Sequence, residues 1–547
     1  MTRAATLVAA AALALPAQAG AARFAVGVDP SASLPRVAAH LEAFGHVSRN
    51  LTRLHVLVVE ASSMRGAKRV HGVRWVEWLG SRNRRIAFTP TDPLASRQWY
   101  LQQIHAFDFW PDAPVLPGVK VAVIDTGIDA THPDLASRIL ETRSFVGGSV
   151  ADTQGHGTFV AGEIAAAVSN AEGIAGIAFP AQLIVAKVVR ADESISLEAE
   201  ASAIRWAADE GARVINLSLG GLRDPHNPSR DTYSQVEAAA VDYAAAKGAV
   251  LVAAVGNIED DAPVSPWPYA SYPAALPHVI GVSSLARNGS VSSFSNRDAV
   301  YNDISAPGEE MFSTLPRALT RENPTCVDQG YSDCGPPKEY RNPAGTSFAA
   351  PQVAAAAALL LAQRPGLTAS RAATTLERAA ADVDASTGCS ACPPLRDSLS
   401  GWGRLDVVSA LTALTKGPLP PADRFETNDD VAAHAPRLAG AQGTRVATLD
   451  YWDDPTDVYP VDLVGRGRLS ISVAGAAGTS ARLRLWSPQT RSVFGAASKL
   501  EVARSTTVGA KQRLSYLVPP GGSGRYYVQL SMTRAGSGTY TLRWAKR

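Results

Sequence analysis

The sequence predicts an α/β protein: a parallel sheet flanked by helices, preceded by a small α+β unit and followed by an all-β sandwich. Three observations predict it. Between residues 119 and 284, apolar runs rich in Val, Ile and Ala alternate with helical stretches, as strands covered on both faces do. After GPLPPA (417–422) the pattern changes to short alternating segments divided by Gly-rich turns, the signature of an antiparallel sandwich. Ahead of residue 92, LHVLVVE (54–60) and VRWVEWL (73–79) bracket a helix expected over Ser62–His71.

The elements follow in chain order. Arg3, the apolar run Ala4–Leu15 and Ala17-Gln18-Ala19 have the order of an export signal cut before Gly20. Residues 1–20 are therefore expected to be a signal peptide, and 21–92 the small α+β unit. Residues 93–415 hold the parallel sheet, with strands VKVAVIDTG (119–127), IVAKVV (184–189), VINLSL (214–219), VLVAAVG (250–256) and VIGVSS (279–284). A linker at 416–422 carries Pro and Gly that discourage regular structure. Residues 423–547 contain TRVATL (444–449), YPVDLV (459–464), LSISVA (469–474), ARLRLW (481–486), LSYLVP (514–519), RYYVQLSM (525–532) and GTYTLRW (538–544). In ARLRLW and YTLRW the strict alternation marks half-buried strands.

Composition bounds the function. The chain has 547 residues, 46 % hydrophobic and 19 % charged, with a formal net charge of +2. That is ordinary globular material with room for large cores. No long basic block suggests a nucleic-acid track. No segment after the export signal reaches the roughly 18 apolar residues of a membrane span, so no membrane anchor is expected. Val353–Leu361 reads as a core helix instead. In an exported protein Cys326, Cys334, Cys389 and Cys392 should form disulfides. Three pairings are open, and Cys326–Cys334 with Cys389–Cys392 is the favoured one. CSAC (389–392) has no second CxxC and no preceding strand of a thioredoxin-like unit, which argues against a redox or zinc role.

Three residues carry the chemistry. Asp125 ends the apolar strand VAVID, where α/β sheets build sites. His156 sits between glycines in DTQGHGTFVAG, at the start of an expected buried helix whose N-terminus disfavours a permanent imidazolium. Ser347 opens a second helix after Gly345, where backbone N–H groups can face an oxyanion. Each has a bland reading alone: a turn-capping Asp, a structural His, a helix-capping Ser. Together they are the set a serine nucleophile needs, with a base to take its proton and an acid to orient the base.

The ordered motifs VAVIDTGID (121–129), HPDL (132–135), GHGTFVAG (155–162), GIAGIA (173–178), INLSLG (215–220), VGN (255–257) and GTSFAAP (345–351) resemble the subtilases, the subtilisin-like serine peptidases. The resemblance covers nearly all of 93–415. It implies a subtilisin-like sheet and a serine endopeptidase that works on protein or peptide substrates, with Asp125 orienting His156, His156 as general base and Ser347 as nucleophile. Asn257 becomes the side-chain donor of the oxyanion hole. Ser218, Leu219, Gly220 and Gly221 become the edge that pairs with extended substrate. Ala254, Val255 and Gly256 become one wall of the primary specificity pocket, which leans apolar. No catalytic cofactor is implied. A structural calcium ion is expected at Asp134 and Asn170, with Gln98 as a third ligand, although VSNAEG (168–173) is one residue off the family spacing.

Two departures from the family occur near the nucleophile. Phe348 stands where Met is usual, and a Pro/Gly-rich insert with Cys326 and Cys334 precedes Gly345. Residues 21–92 resemble the family's inhibitory propeptide, a ferredoxin-like unit that would make the product a self-processed zymogen inhibited by its own segment. Residues 423–547 resemble the bacterial prepeptidase C-terminal domain, through ETNDD (426–430), TRVATLD (444–450), DVYPVDLVGRGRLSISVAG (457–475) and the final strands, with Pro460 as a departure. The expected product is a secreted, extracellular monomer. Two rivals are weaker: an inactive scaffold presenting the sandwich, which the complete residue set argues against, and an esterase, which would carry a G-x-S-x-G elbow.

Overall fold

The computed structural model describes residues 22–79, 88–110, 114–257, 264–321, 328–334, 343–414, 436–451, 454–475, 480–491, 498–534 and 536–547, with the single residues 425, 428, 431 and 493. The export signal, the linker, Cys326 and most of ETNDD lie outside them. The chain divides into two compact units, Met1–Arg85 and Ile86–Arg547.

In the first unit, β1 (Ala22–Val28), β2 (His46–Leu51), β3 (Val56–Ala61) and β4 (Val73–Trp78) form an antiparallel sheet in the order β2-β3-β1-β4. The helix expected over Ser62–His71 is not there. Gly66 and Gly72 take φ of +92° and +90°, and only a 3₁₀ turn forms between them at Ala67–Arg69. The helix lies earlier, at Leu34–Leu41, with Pro35 in its first turn. Leu34, Val37 and Leu41 recur at helical spacing and pack into one core with Val26, Leu57 and Val59.

The second unit holds a parallel sheet of β5 (Val119–Asp125), β6 (Ile139–Ser144), β7 (Ala181–Lys187), β8 (Val214–Leu217), β9 (Val250–Ala254), β10 (Val279–Leu285) and β11 (Ile304–Pro307), in the order β11-β10-β9-β8-β5-β7-β6. The five strands read from sequence are all present. Those missed are the two edges. β6 is largely exposed and charged, and β11 has four residues ending in proline. One face packs on helices His156–Ala165 and Thr346–Gln363, the other on Leu197–Asp209 and Gln235–Ala246. Thr346–Gln363 is as long and apolar as a membrane span, but 89 % of it is buried inside the protein, so it is a core helix.

The chain runs from β5 out to the edge strand β6, comes back to β7 between them, then crosses to β8 on the other side of β5. Loops after β5 and β8 therefore diverge, opening a crevice at the carboxyl ends of these strands. Asp125 closes β5 there, and Ser218 follows β8.

Beyond the sheet, Cys389 bonds to Cys392 as expected; Cys334 is disulfide-bonded too. β12 (Gln442–Asp450), β13 (Thr456–Leu463), β14 (Arg468–Gly475), β15 (Ala481–Trp486), β16 (Glu501–Arg504), β17 (Lys511–Leu517), β18 (Gly524–Met532) and β19 (Ser537–Lys546) form two antiparallel sheets, β12-β19-β14-β17 and β13-β18-β15-β16. Leu449, Ile471, Leu514 and Leu542 of one meet Val461, Leu483 and Val528 of the other in a shared core. Pro460 lies in β13, an edge strand, where a missing N–H is tolerated. Arg378 joins the part that holds the parallel sheet to the sandwich through Asp450 at 3.1 Å.

Candidate active site

Asp125 and His156 meet directly. Asp125 is 1 % exposed. Its Oδ1 lies 2.8 Å from His156 Nδ1 and accepts the Thr126 N–H at 2.7 Å. This fixes the ring's face and leaves Nε2 for chemistry. His156 is the first residue of its helix, entered through Gly155 at φ +99°. The next glycine is required by contact: a Cβ on Gly157 would lie 2.3 Å from the Gly127 carbonyl oxygen.

Burial alone would lower the His156 pKa. The charge and hydrogen bond of Asp125, with the charge of Asp152, outweigh burial and raise it above the ordinary imidazole value. The helix terminus is therefore not the deciding influence on this ring. Sequence reasoning also missed Asp152, although it lies within DTQGHGT. Its Oδ1 accepts from Thr126 Oγ1 and Gly155 N, and its Oδ2 from Thr158 N and Oγ1, all at 2.7–2.9 Å. Thr126 Oγ1 in turn accepts from Gly157 N at 2.8 Å. Asp152 thus ties the end of β5 to the first turn of the histidine helix.

Ser347 is the second residue of helix Thr346–Gln363 and is half-buried. Its neighbour Phe348 packs on the His156 ring, with centroids 5.5 Å apart, and on Phe159 at 4.6 Å. The Met-to-Phe departure thereby gives the imidazole an aromatic support. Ser218 Oγ donates to the Ser347 carbonyl at 2.7 Å. Asn257 is adjacent: its Oδ1 accepts from Thr346 N at 2.9 Å and Thr346 Oγ1 at 3.1 Å. With Oδ1 so engaged, Nδ2 remains as the donor.

The expected substrate residues divide. β8 ends at Leu217, so Ser218–Gly221 leave the sheet rather than continue a core strand. Leu219 and Gly220 are accessible, whereas Ser218 is buried. Gly221 is already paired with Tyr272 through two 2.9 Å backbone bonds. Ala254 and Val255 are buried. The Val255 carbonyl accepts from Ser271 N and Asn296 Nδ2, so this wall presents backbone rather than the valine side chain. Gly256, at φ +94°, packs so closely that a Cβ would lie 2.2 Å from Ser271 Oγ.

Asp134, Asn170 and Gln98 gather in one place, but their oxygens are taken. Asp134 Oδ2 accepts from Ile174 N at 2.9 Å and from Tyr331 OH at 3.0 Å; Oδ1 accepts Asn170 Nδ2 at 2.9 Å. Asn170 Oδ1 accepts from Glu172 N, and Gln98 clasps Ala175 through both amide atoms. Tyr331 comes from the insert before Ser347. A Cβ on Gly173 would lie 1.8 Å from its hydroxyl. Calcium takes six to eight oxygen ligands. Among the described residues no three His, Cys, Asp or Glu side chains converge. As arranged, these residues do not fit a calcium ion.

A profile described as the subtilase family matches residues 117–403. Thermitase of Thermoactinomyces vulgaris is 36 % identical over 296 residues, covering 54 % of this chain and 92 % of that protein. Subtilisin DY of Bacillus licheniformis is 37 % identical over 267 residues, covering 48 % of this chain and 84 % of the other. The solved structure of sphericase aligns with 57 % of this chain and 99 % of its own, at 29 % identity and a TM-score of 0.45.

Proposed function

The chain belongs to the subtilase family as a subtilisin-like serine endopeptidase, and from that premise we propose that it cleaves proteins through an acyl-enzyme on Ser347. No catalytic cofactor is needed. His156 Nε2 takes the proton of Ser347 Oγ as the hydroxyl attacks the scissile carbonyl. Asp125 holds Nδ1 and stabilises the imidazolium that forms. The developing oxyanion accepts from Asn257 Nδ2 and the Ser347 backbone N–H, donors fixed before the reaction begins. His156 then returns the proton to the leaving amine, and water releases the acyl group by the same steps.

The observation that carries this reading is the 2.8 Å contact of Asp125 Oδ1 with His156 Nδ1, at the crevice where Ser347 opens its helix. Substrate lies extended along Leu219 and Gly220, with an apolar side chain before the cut against the wall ending at Gly256. Labelling with a fluorophosphonate, followed by peptide mapping, tests the nucleophile. The label should sit on Ser347 alone.

The enzyme is exported as a zymogen, loses residues 1–20, and is held by its own N-terminal unit until that is cut away. The separate core of that unit supports this order. We place the cut before Phe88, since Phe88 N donates to the Trp110 carbonyl at 2.7 Å and Asp92 accepts from Ser169 and Asn170 backbone N–H groups. The mature enzyme acts as an extracellular monomer without a membrane anchor. We assign no metal to Asp134, Asn170 and Gln98, and no step depends on one.

A further inference from the structure

We propose that the outer face of the sheet β12-β19-β14-β17 binds an anionic polysaccharide and holds the peptidase on it. Register puts the relevant side chains in rows. Ser472 of β14 pairs with Arg513 of β17 on one side and Arg543 of β19 on the other. One row along, Ser470 pairs with Ser515 and Ala545; one row back, Ala474 pairs with Lys511 and Thr541. The alternate residues Leu469, Ile471, Val473, Leu514 and Leu542 are buried in the sandwich core, so these rows point outward.

The result is a shallow trough of about 430 Å³ with Arg513 and Arg543 on opposite rims and Ser470 and Ser472 of β14 between them; Ser515 stands beside Arg513 on β17 and accepts from Arg468 at 3.2 Å. The two arginines stand two strands apart, about 10 Å between backbones, roughly the span of two linked sugar rings. Small side chains along the middle leave room for a chain to lie flat.

The charge is one-sided. No carboxylate occurs at the outward positions of β14, β17 and β19, and at the end of β12 Asp450 is taken by Arg378. Two acids of the other sheet are paired with cations: Asp462 with Arg437 and Arg525, Glu501 with Arg484 and Arg504; Asp457 is buried and accepts from Asn428 and Tyr540. Arg513, Arg543 and Lys511 form no ion pair among the described residues. In a chain of net charge +2 this is local segregation, not general basicity.

The chemistry selects the partner. Guanidinium groups bind carboxylate or sulfate in a planar, bidentate manner, and serine hydroxyls both donate to and accept from sugar hydroxyls. Single-stranded nucleic acid would call for exposed aromatic rings to stack on. The outward positions of these strands carry none, since Tyr540 and Trp544 both point into the core.

The test uses the full chain, its serine blocked covalently by phenylmethanesulfonyl fluoride, on beads bearing polygalacturonate, neutral dextran or double-stranded DNA at low salt. We expect retention by polygalacturonate and none by dextran. Binding should fall about tenfold or more in R513E/R543E. The same charge change on the other sheet, R504E/R525E, should leave it within about twofold. Unblocked R513E/R543E should hydrolyse casein like the parent, and its denaturant-unfolding curve should match the parent's, showing that the sandwich with its separate core still folds. Absent retention, equal loss in both double variants, or tighter binding to DNA than to polygalacturonate overturns the proposal.

Discussion

Asp125 holds His156 through Oδ1 to Nδ1 at 2.8 Å, and Asp152 adds a second negative charge that helps keep the imidazolium. Together they overcome burial and raise the pKa of the ring. The base is neutral and competent only above that pKa, so the acid limb of kcat/KM should lie above the ordinary imidazole range.

D125N should remove the charge and turn the ring to the wrong tautomer. We expect kcat to fall about 10³–10⁴-fold and the acid limb of the residual activity to move to lower pH. A pH profile of kcat/KM for the variant checks both. An unmoved limb would mean that Asp125 does not set the ring's charge.

N257A should lower kcat with little change in KM, because its donor acts on charge that exists only in the transition state. The expected loss is about 10²–10³-fold, the size known for a subtilisin oxyanion donor. Steady-state kinetics on a peptide anilide separate the two constants. A rise in KM at unchanged kcat would instead make Asn257 a ground-state binding residue.

Helices Leu197–Asp209 and Gln235–Ala246 bury Glu200 against Glu237. Burial raises both carboxyls, Glu237 to about 7, and the charge of Glu237 raises Glu200 further. The folded state therefore holds protons that the unfolded chain releases near pH 4.5. Stability from these protons is complete below that value and declines as pH rises through about 7. E237Q should flatten this decline. Melting temperatures of the serine-blocked enzyme at about pH 5 and about pH 9 should differ less in the variant than in the parent.

Tyr331, Asn170 and the Ile174 N–H saturate Asp134, and Gln98 is bound to Ala175. EDTA should therefore leave the melting temperature of the serine-blocked mature enzyme unchanged within about 2 °C. Y331F removes one buried hydrogen bond and should cost about 1–3 kcal/mol, read from denaturant unfolding. A large calcium-dependent rise in melting temperature would show that the cluster opens to take the ion.

The legible parts of the fold were those with strong local signals. β5, β7, β8, β9 and β10 are buried on both faces and read as apolar runs, and Asp125, His156 and Ser347 sit in distinctive glycine-flanked motifs. The edge strands β12, β13 and β17 were legible by their alternation, but β6, β11 and β16 were not, because β6 and β16 carry too many charges and β11 is too short. The helix of the N-terminal unit was misplaced because Lys and Arg at 65–69 look helical, while Gly66 and Gly72 at positive φ decide the backbone. Tertiary choices were also invisible. Nothing in the order of residues announces that Tyr331 reaches Asp134, 197 residues away, or that Phe348 supports the imidazole.

The central claim is that Ser347 is the nucleophile, served by His156. Casein hydrolysis by purified S347A, compared with the parent at equal concentration, tests it most directly. We expect the variant to lose activity by about 10⁴-fold or more and to keep its N-terminal unit attached. Full casein hydrolysis by S347A would contradict the account.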